Sequence, residues 1–279
     1  MLLRIAMGLI FLFNLTPVYA WNWVGHEAVA QIAYTHLTPE VRKKVDAIVG
    51  DFSSEYSNVN SFIEMAPWPD SLHAQKIEIY NHWHYINQAY SDDNTTLKDL
   101  RGTDNIIRAI GLIEPIVKNP HANTFEKARF LAFLVHFVGD IHQPLHAITR
   151  ISASHPNGDE GGNLFLIRNT SDSKGSSNLH KVWDEGCNLF SLTNEDAVKI
   201  LSEKIEKDYP EAYFADSVND LKVEDWANES FIVGKNFVYK TEEGQPLSHA
   251  YIEEGQQLAE QRVALAGYRL ARVLNGLLS

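Results

Sequence analysis

The sequence predicts an all-α protein: one helical domain with a small β-hairpin. Helical periodicity of apolar residues dominates the chain, while alternating, strand-like runs are scarce. Thr38-Pro39 is a clean helix start with Pro at the first position, and Gly50 supplies a stop. No internal repeat, low-complexity tract or Pro/Gly/Ser-rich linker divides the 279 residues, which suffice for one large core.

Residues 1–20 are expected to lie outside that domain. Arg4 gives a positive start, Ile5 to Leu15 an apolar stretch, and Val18-Tyr19-Ala20 a small-x-small cleavage site before Trp21. The run is short for a bilayer span, and no later stretch approaches about 18 uninterrupted apolar residues. A removed signal peptide is expected, with residues 21–279 as the mature, periplasmic or secreted domain and no membrane anchor. The single cysteine, Cys187, permits no intrachain disulfide, so any cross-linking must come from metal. Net charge is −12, or −13 once Arg4 is gone. So acidic a chain lacks a broad basic surface for nucleic acid, and any such attraction must be local.

The helices follow in order. Gly25 to Tyr34 carries His26 near its start, and Thr38 to Gly50 comes next. Ile106 to Val117 and Thr124 to His142 follow, the second ending before Pro144. Asn178 to Cys187, Asn194 to Lys207 and Ser217 to Val233 precede a long Ala-, Glu-, Gln- and Leu-rich pattern from Ser248 to Leu274. Leu164 to Ile167, after Gly161-Gly162, is the best strand signal and supplies the hairpin. Ser152 to Gly162 and Asp172 to Asn178 read as polar loops. Asn94, Asn169 and Asn228 sit in N-x-S/T triplets, too short to be diagnostic.

The chemistry concentrates in FLAFLVHFVGDIHQPLH, Phe130 to His146. His136 and Asp140 are four residues apart and share a helical face. Phe133, Leu134, Val135 and Phe137 surround them, and a carboxylate in such company is costly unless compensated. The spacing returns at His180 and Asp184 in NLHKVWD. Either pair alone also suits a helix-surface ion pair, and a lone His is more often structural than a ligand. Two such pairs with His146 nearby favour metal. Of the twelve histidines, His36, His121 and His249 read as surface residues, His155 as a loop residue, and His142 as pointing away from Asp140. APWPDSLH sets Asp70 among Trp and Pro, and NHWHYIN alternates His82 and His84 with large apolar side chains. Trp21 stands five residues before His26, where a free α-amino group and its carbonyl oxygen could chelate.

Trp21, WVGHEAVA, WPD, HYI, LVHFVGDIHQPLH, GGN and NLHKVWD, in that order, resemble the S1/P1 nuclease family, which stands with the zinc-dependent phospholipases C. The resemblance implies a mostly helical domain around three Zn2+ ions at the base of a cleft. Asp70, His84, His136 and Asp140 would hold one. The amino and carbonyl groups of Trp21, with His26 and the shared Asp140, would hold a second. His146, His180 and Asp184 would hold the third. Asp70 and Asp140 are then the catalytic carboxylates. The implied activity is that of a hydrolase, an endonuclease cutting the P–O3′ bond of single-stranded DNA or RNA to give 5′-nucleotides, and a 3′-nucleotidase.

For the substrate, Tyr85, next to His84, is the candidate stacking residue, with an ordinary core aromatic as the alternative reading; Asn87, His73 and Asn163, the last from the GGN motif, are the further candidate contacts. Fungal members carry Arg where His73 stands and an acidic residue where Asn87 stands, so phosphate clamping and base choice are expected to differ. A phospholipase C-type phosphodiesterase and a non-catalytic zinc-binding protein remain alternatives. No protein partner is evident, and a monomer is expected.

Overall fold

A computed structural model of the protein describes residues 21–168, 176–191 and 195–279. The expected signal peptide lies outside the described residues, as do Asn169, Asn194 and most of the 172–178 loop. Helix α1 spans Trp23–Thr35, with the Asn22 side chain accepting from the Gly25 N–H as its cap. Helix α2 (Pro39–Ser53) begins as expected, with Thr38 as cap, but runs through Gly50. An exposed helical Gly costs about 1 kcal/mol relative to Ala. Burying Phe52, which packs on Tyr56 and Trp68, returns roughly 1.5–3 kcal/mol, so the helix continues.

Two short helices, α3 (Phe62–Met65) and α4 (Trp68–Ala74), and a 3-10 turn at Asn81–His84 follow. Then come α5 (Ile106–Lys118) and α6 (Thr124–His142), the latter spanning the expected residues. Helix α7 (Leu179–Asp184) stops three residues short of the expected Cys187, because Gly186, Cys187 and Asn188 turn left-handed at φ 56°, 52° and 76°. Helix α8 spans Glu195–Asp208. The helix expected over Ser217–Val233 divides into a 3-10 segment (Glu211–Asn219) and α9 (Val223–Val233), because the backbone is extended at Asp220 (φ −76°, ψ 108°). A π-turn at Gly234–Val238 extends α9, and α10 (His249–Leu277) closes the chain.

Strand structure is confined to two pairs. β1 (Ala89–Tyr90) lies parallel to β2 (Thr149–Arg150), a pairing the sequence does not announce. β3 (Leu166–Arg168) pairs antiparallel with β4 (Ser176–Asn178), which is the expected hairpin shifted toward the C-terminus. Residues 131–149 are buried almost without interruption, and α6 carries apolar side chains around its circumference, so it runs through the core. Helices α1, α2, α5, α9 and α10 pack against it. Among the described residues no helix is long and apolar enough to cross a membrane.

Candidate metal centre

Helix α6 carries two of the key side chains on one face. His136 Nε2 lies 3.3 Å from Asp140 Oδ2, one turn further on. Three other segments converge there. His26 of α1 brings Nε2 to 3.3 Å from Asp140 Oδ1, and its ring stacks on His136 with centroids 3.9 Å apart. Asp70 of α4 reaches 3.3 Å from His136 Nε2. Trp68 anchors that short helix by packing edge-on against Phe52 and Phe133. His84, at the end of the 3-10 turn, sets Nδ1 at 3.0 Å from Asp140 Oδ2 and 3.1 Å from His136 Nε2.

Close approach of α1 to α6 depends on Gly139. A Cβ at that position would stand 2.9 Å from His26 Nδ1.

A second group forms beside the first. His146 Nε2 and His180 Nε2 face one another at 3.2 Å, and Asp184 Oδ1 is 3.5 Å from His180 Nε2. The segments of His84 and His146 are tied reciprocally: Ile86 N donates to His146 O (2.8 Å), and His146 Nδ1 donates to His84 O (2.6 Å). The β1–β2 pair continues that alignment. His180 Nδ1 donates to Gly161 O at 2.7 Å from a left-handed turn where Gly161 has φ +61°. A Cβ there would lie 2.5 Å from the Leu145 carbonyl oxygen.

In all, His26, Asp70 and His136, then His84, His136 and Asp140, then His146, His180 and Asp184 each bring ligand-type atoms within 4.8 Å of one another. All eight side chains expected from the sequence are thus gathered.

Proton inventory decides what this arrangement can accept. His146 and His180 each spend Nδ1–H on a backbone carbonyl, and burial pushes the pKa of His146 well down. With Nδ1–H so committed, the Nε2 atoms of the two rings face each other at 3.2 Å, where neutral imidazoles would set lone pair against lone pair unless a cation lay between them. Around Asp140, its Oδ1 and both ring nitrogens of His26 are buried without a hydrogen-bond partner among the described residues. Each such orphan costs roughly 1–3 kcal/mol, whereas a structural zinc returns roughly 10–16 kcal/mol. Imidazole and carboxylate donors suit zinc. The residues fit metal.

Burial pushes Asp184 well above the ordinary carboxylate range and also raises Asp140. For His136, burial works downward but Asp140 and Asp70 prevail, lifting it to about 9.

The cluster opens into a cleft of about 550 Å³ whose lining includes Asp70, His84 and His180. Tyr85, Asn87 and His73 line it as well. Asn163 does not; its Nδ2 donates to Glu160 O at 2.9 Å and braces the glycine turn. Trp21 is fully buried, edge-on to Phe190. Asn22 N donates to Asp184 O at 2.8 Å, which fastens the chain just after Trp21 to the second group.

Sequence reasoning leaves Gln143 without a role, yet its Nε2 donates to Asp184 Oδ1 at 2.7 Å and its Oε1 accepts from Leu145 N. Its place between Asp140 and His146 is the signal that could have marked it. His82, hydrogen-bonded to Tyr85 Oη at 2.9 Å, and Glu160 also line the cleft. The histidines expected elsewhere are elsewhere: His36 pairs with Glu206, His155 with Glu243, and His249 with Glu253 at the surface.

The fold and site define a helical protein whose adjacent buried His/Asp groups could hold metal beneath an open cleft. The S1/P1 Nuclease family matches residues 21–279, and the chain belongs to that family. Endonuclease 1 of Arabidopsis thaliana is 27% identical over 299 residues, covering 99% of this chain and 93% of its own. Nuclease S1 of Aspergillus oryzae is 27% identical over 298 residues (98% and 96%). Nuclease P1 of Penicillium citrinum is 28% identical over 179 residues (59% and 57%).

Proposed function

We propose that the protein is a zinc-dependent phosphodiesterase that hydrolyses the P–O3′ bond of single-stranded DNA and RNA, releasing 5′-nucleotides, and removes the 3′-phosphate of mononucleotides. The observation that carries this reading is that Asp70, His84 and His180 belong both to the metal groups and to the lining of the cleft. A substrate in the cleft therefore meets the cluster directly. Three zinc ions are proposed, with Asp70, His84, His136 and Asp140 at one, His26, Asp140 and the amino and carbonyl groups of Trp21 at a second, and His146, His180 and Asp184 at the third. Burial of Trp21 and the anchoring of Asn22 support a fixed chain start beside His26, which requires removal of residues 1–20 and export to the periplasm or medium.

Bound zinc supplies Lewis acidity, lowering the pKa of water from 15.7 to about 7 and stabilising charge on phosphate oxygens. The chain's own groups do the rest. Asp70, with its side chain 12% exposed at the cleft floor, is placed to orient the attacking water and accept its proton. Asp140 is sealed at 0% and divides its two oxygens between His26 and the His84–His136 pair, so it holds position. The carbonyls of Ala66, His84 and Gly161 fix the rings of His136, His146 and His180. Tyr85 offers a face for an unstacked base, and Asn87 offers both a donor and an acceptor beside it. Paired bases cannot present that face, which favours single strands.

The test uses protein that starts at Trp21. Metal content is measured alongside cleavage of single-stranded DNA, RNA and 3′-AMP, and end analysis should find 5′-phosphates. Release of phosphocholine from lipid without nucleic-acid cleavage would favour the lipid phosphodiesterase instead. Three bound zinc ions with no turnover would leave a zinc-binding protein.

A further inference from the structure

His142 is the buried histidine of α6 that the metal groups do not use, and it is the centre of a second polar network. Its Nδ1 donates to Val138 O at 2.8 Å, and Arg269 Nη1 of α10 donates to its Nε2 at 2.9 Å. Arg269 is fully buried and also grips both Glu229 oxygens of α9 at 2.7 Å. It further donates to Ser217 O at 3.2 and 2.9 Å. Arg262 donates to His142 O (3.1 Å), Glu229 Oε2 (3.2 Å) and Ser230 Oγ (2.8 Å). Ser230 Oγ in turn donates to Ile141 O at 2.5 Å.

A helix leaves its last four carbonyls without intrahelical partners. In α6 those of Ile141 and His142 are taken by this network, and that of Asp140 by Gln143 N at 2.9 Å. Two guanidiniums against one carboxylate leave surplus positive charge at the helix C-terminus, where the macrodipole favours it. Buried ion pairs are weak evidence for stability as such, because apolar replacements often serve as well. Fixing a geometry is the better account. The turn so fixed carries Asp140, whose two oxygens are shared among three imidazoles from three segments, and it leads into Gln143, which holds Asp184, and His146.

We propose that Arg262, Glu229 and Arg269, acting through His142 and Ser230, are positioning residues that lock the last turn of α6 and thereby set Asp140, Gln143 and His146 for metal. This rests on the metal-centre reading above.

The experiment measures zinc affinity by chelator competition in Arg269→Met, Arg269→Lys and Ser230→Ala, at a temperature where circular dichroism finds each fully folded. Val45→Ala, a cavity in α2, which supplies none of the network's hydrogen bonds given above, reports what lost stability alone does. Loss of an outer partner weakens metal affinity about 10–100-fold. Arg269 touches no ligand directly, so Arg269→Met should weaken binding toward the lower end of that range, about 10-fold. Arg269→Lys, which keeps charge but not the forked contacts, should fall between it and wild type. Ser230→Ala should weaken binding about 10-fold by the same rule. Val45→Ala should melt earlier yet bind zinc like wild type. If Arg269→Met does not fold, Ser230→Ala decides. Wild-type affinity in the folded network variants overturns the proposal. A wild-type protein that binds no zinc overturns the metal centre and this inference with it.

Discussion

Gly139→Ala isolates the packing of α1 against α6. In a helix interior this change normally stabilises by about 1 kcal/mol. Here the new Cβ would stand 2.9 Å from His26 Nδ1 and 3.2 Å from Cε1. The ring cannot swing aside, because it is fully buried and stacked 3.9 Å from His136. Overpacking of this kind costs about 1–3 kcal/mol, so the propensity gain is cancelled or exceeded and the net effect should fall between roughly 0 and 2 kcal/mol of destabilisation. Gly111 of α5 is the internal control: nothing lies within 4 Å of a Cβ there, so Gly111→Ala should gain up to about 1 kcal/mol. Urea unfolding of the two metal-free variants gives the comparison, and zinc content after dialysis should fall in Gly139→Ala alone. Equal stabilisation of both variants, with wild-type zinc in each, would refute the argued proximity of His26 to α6.

Other expectations follow from the same geometry. Asp140→Asn should release two ions together and Asp184→Asn mainly one, as read by metal analysis; matched single losses would contradict a shared Asp140. One extra residue before Trp21 converts the amine to an amide and should strip or weaken one zinc with a drop in activity, whereas full zinc and full activity would remove Trp21 from the ligand set. In the metal-free protein, burial raises Asp184 and Asp140 above the usual carboxylate range, so below those raised pKa values a cation must displace their protons. Zinc uptake should therefore release protons into a weakly buffered solution. Affinity should rise with pH while those carboxyls still carry protons. Uptake without proton release across that range would sink the assignment.

What could be read beforehand depended on signal length. Helix α6 spans 19 residues, a length beyond any strand, between the Asn123 cap and Pro144, and its ends were legible to the residue. Helices α3 and α4, at 4 and 7 residues, are too short for a period to register, although the WPD motif within α4 carried Asp70. The parallel pairing of Ala89–Tyr90 with Thr149–Arg150 joins segments about sixty positions apart by backbone hydrogen bonds, which leave no mark in side-chain pattern. The site was legible because His and Asp at i,i+4 in an apolar helix are expensive without a partner. Gln143 and Glu160 were not, since an amide or an exposed carboxylate is unremarkable in composition and gains meaning only from position. Gly50 misled for a related reason: a stop signal is a local preference, and Phe52 outweighs it from two residues further on.

The division of labour along the chain accounts for its C-terminal third. Every side chain gathered at the metal centre lies before residue 185, in five shorter segments and the long helix α6. None comes from α8, α9 or α10. Yet α10 packs along α1, which carries His26, and sends Arg262 and Arg269 into the back of α6, which carries His136 and Asp140. With a single cysteine the chain has no disulfide to hold those stretches in register when metal is absent. Apolar packing alone is tolerant of small slides, since cores accept repacking at constant volume. Directional hydrogen bonds to the terminal carbonyls of α6 are not. The C-terminal helices therefore supply orientation where the N-terminal stretches supply donors, and variants in α9 and α10 should disturb metal binding from positions that touch no metal.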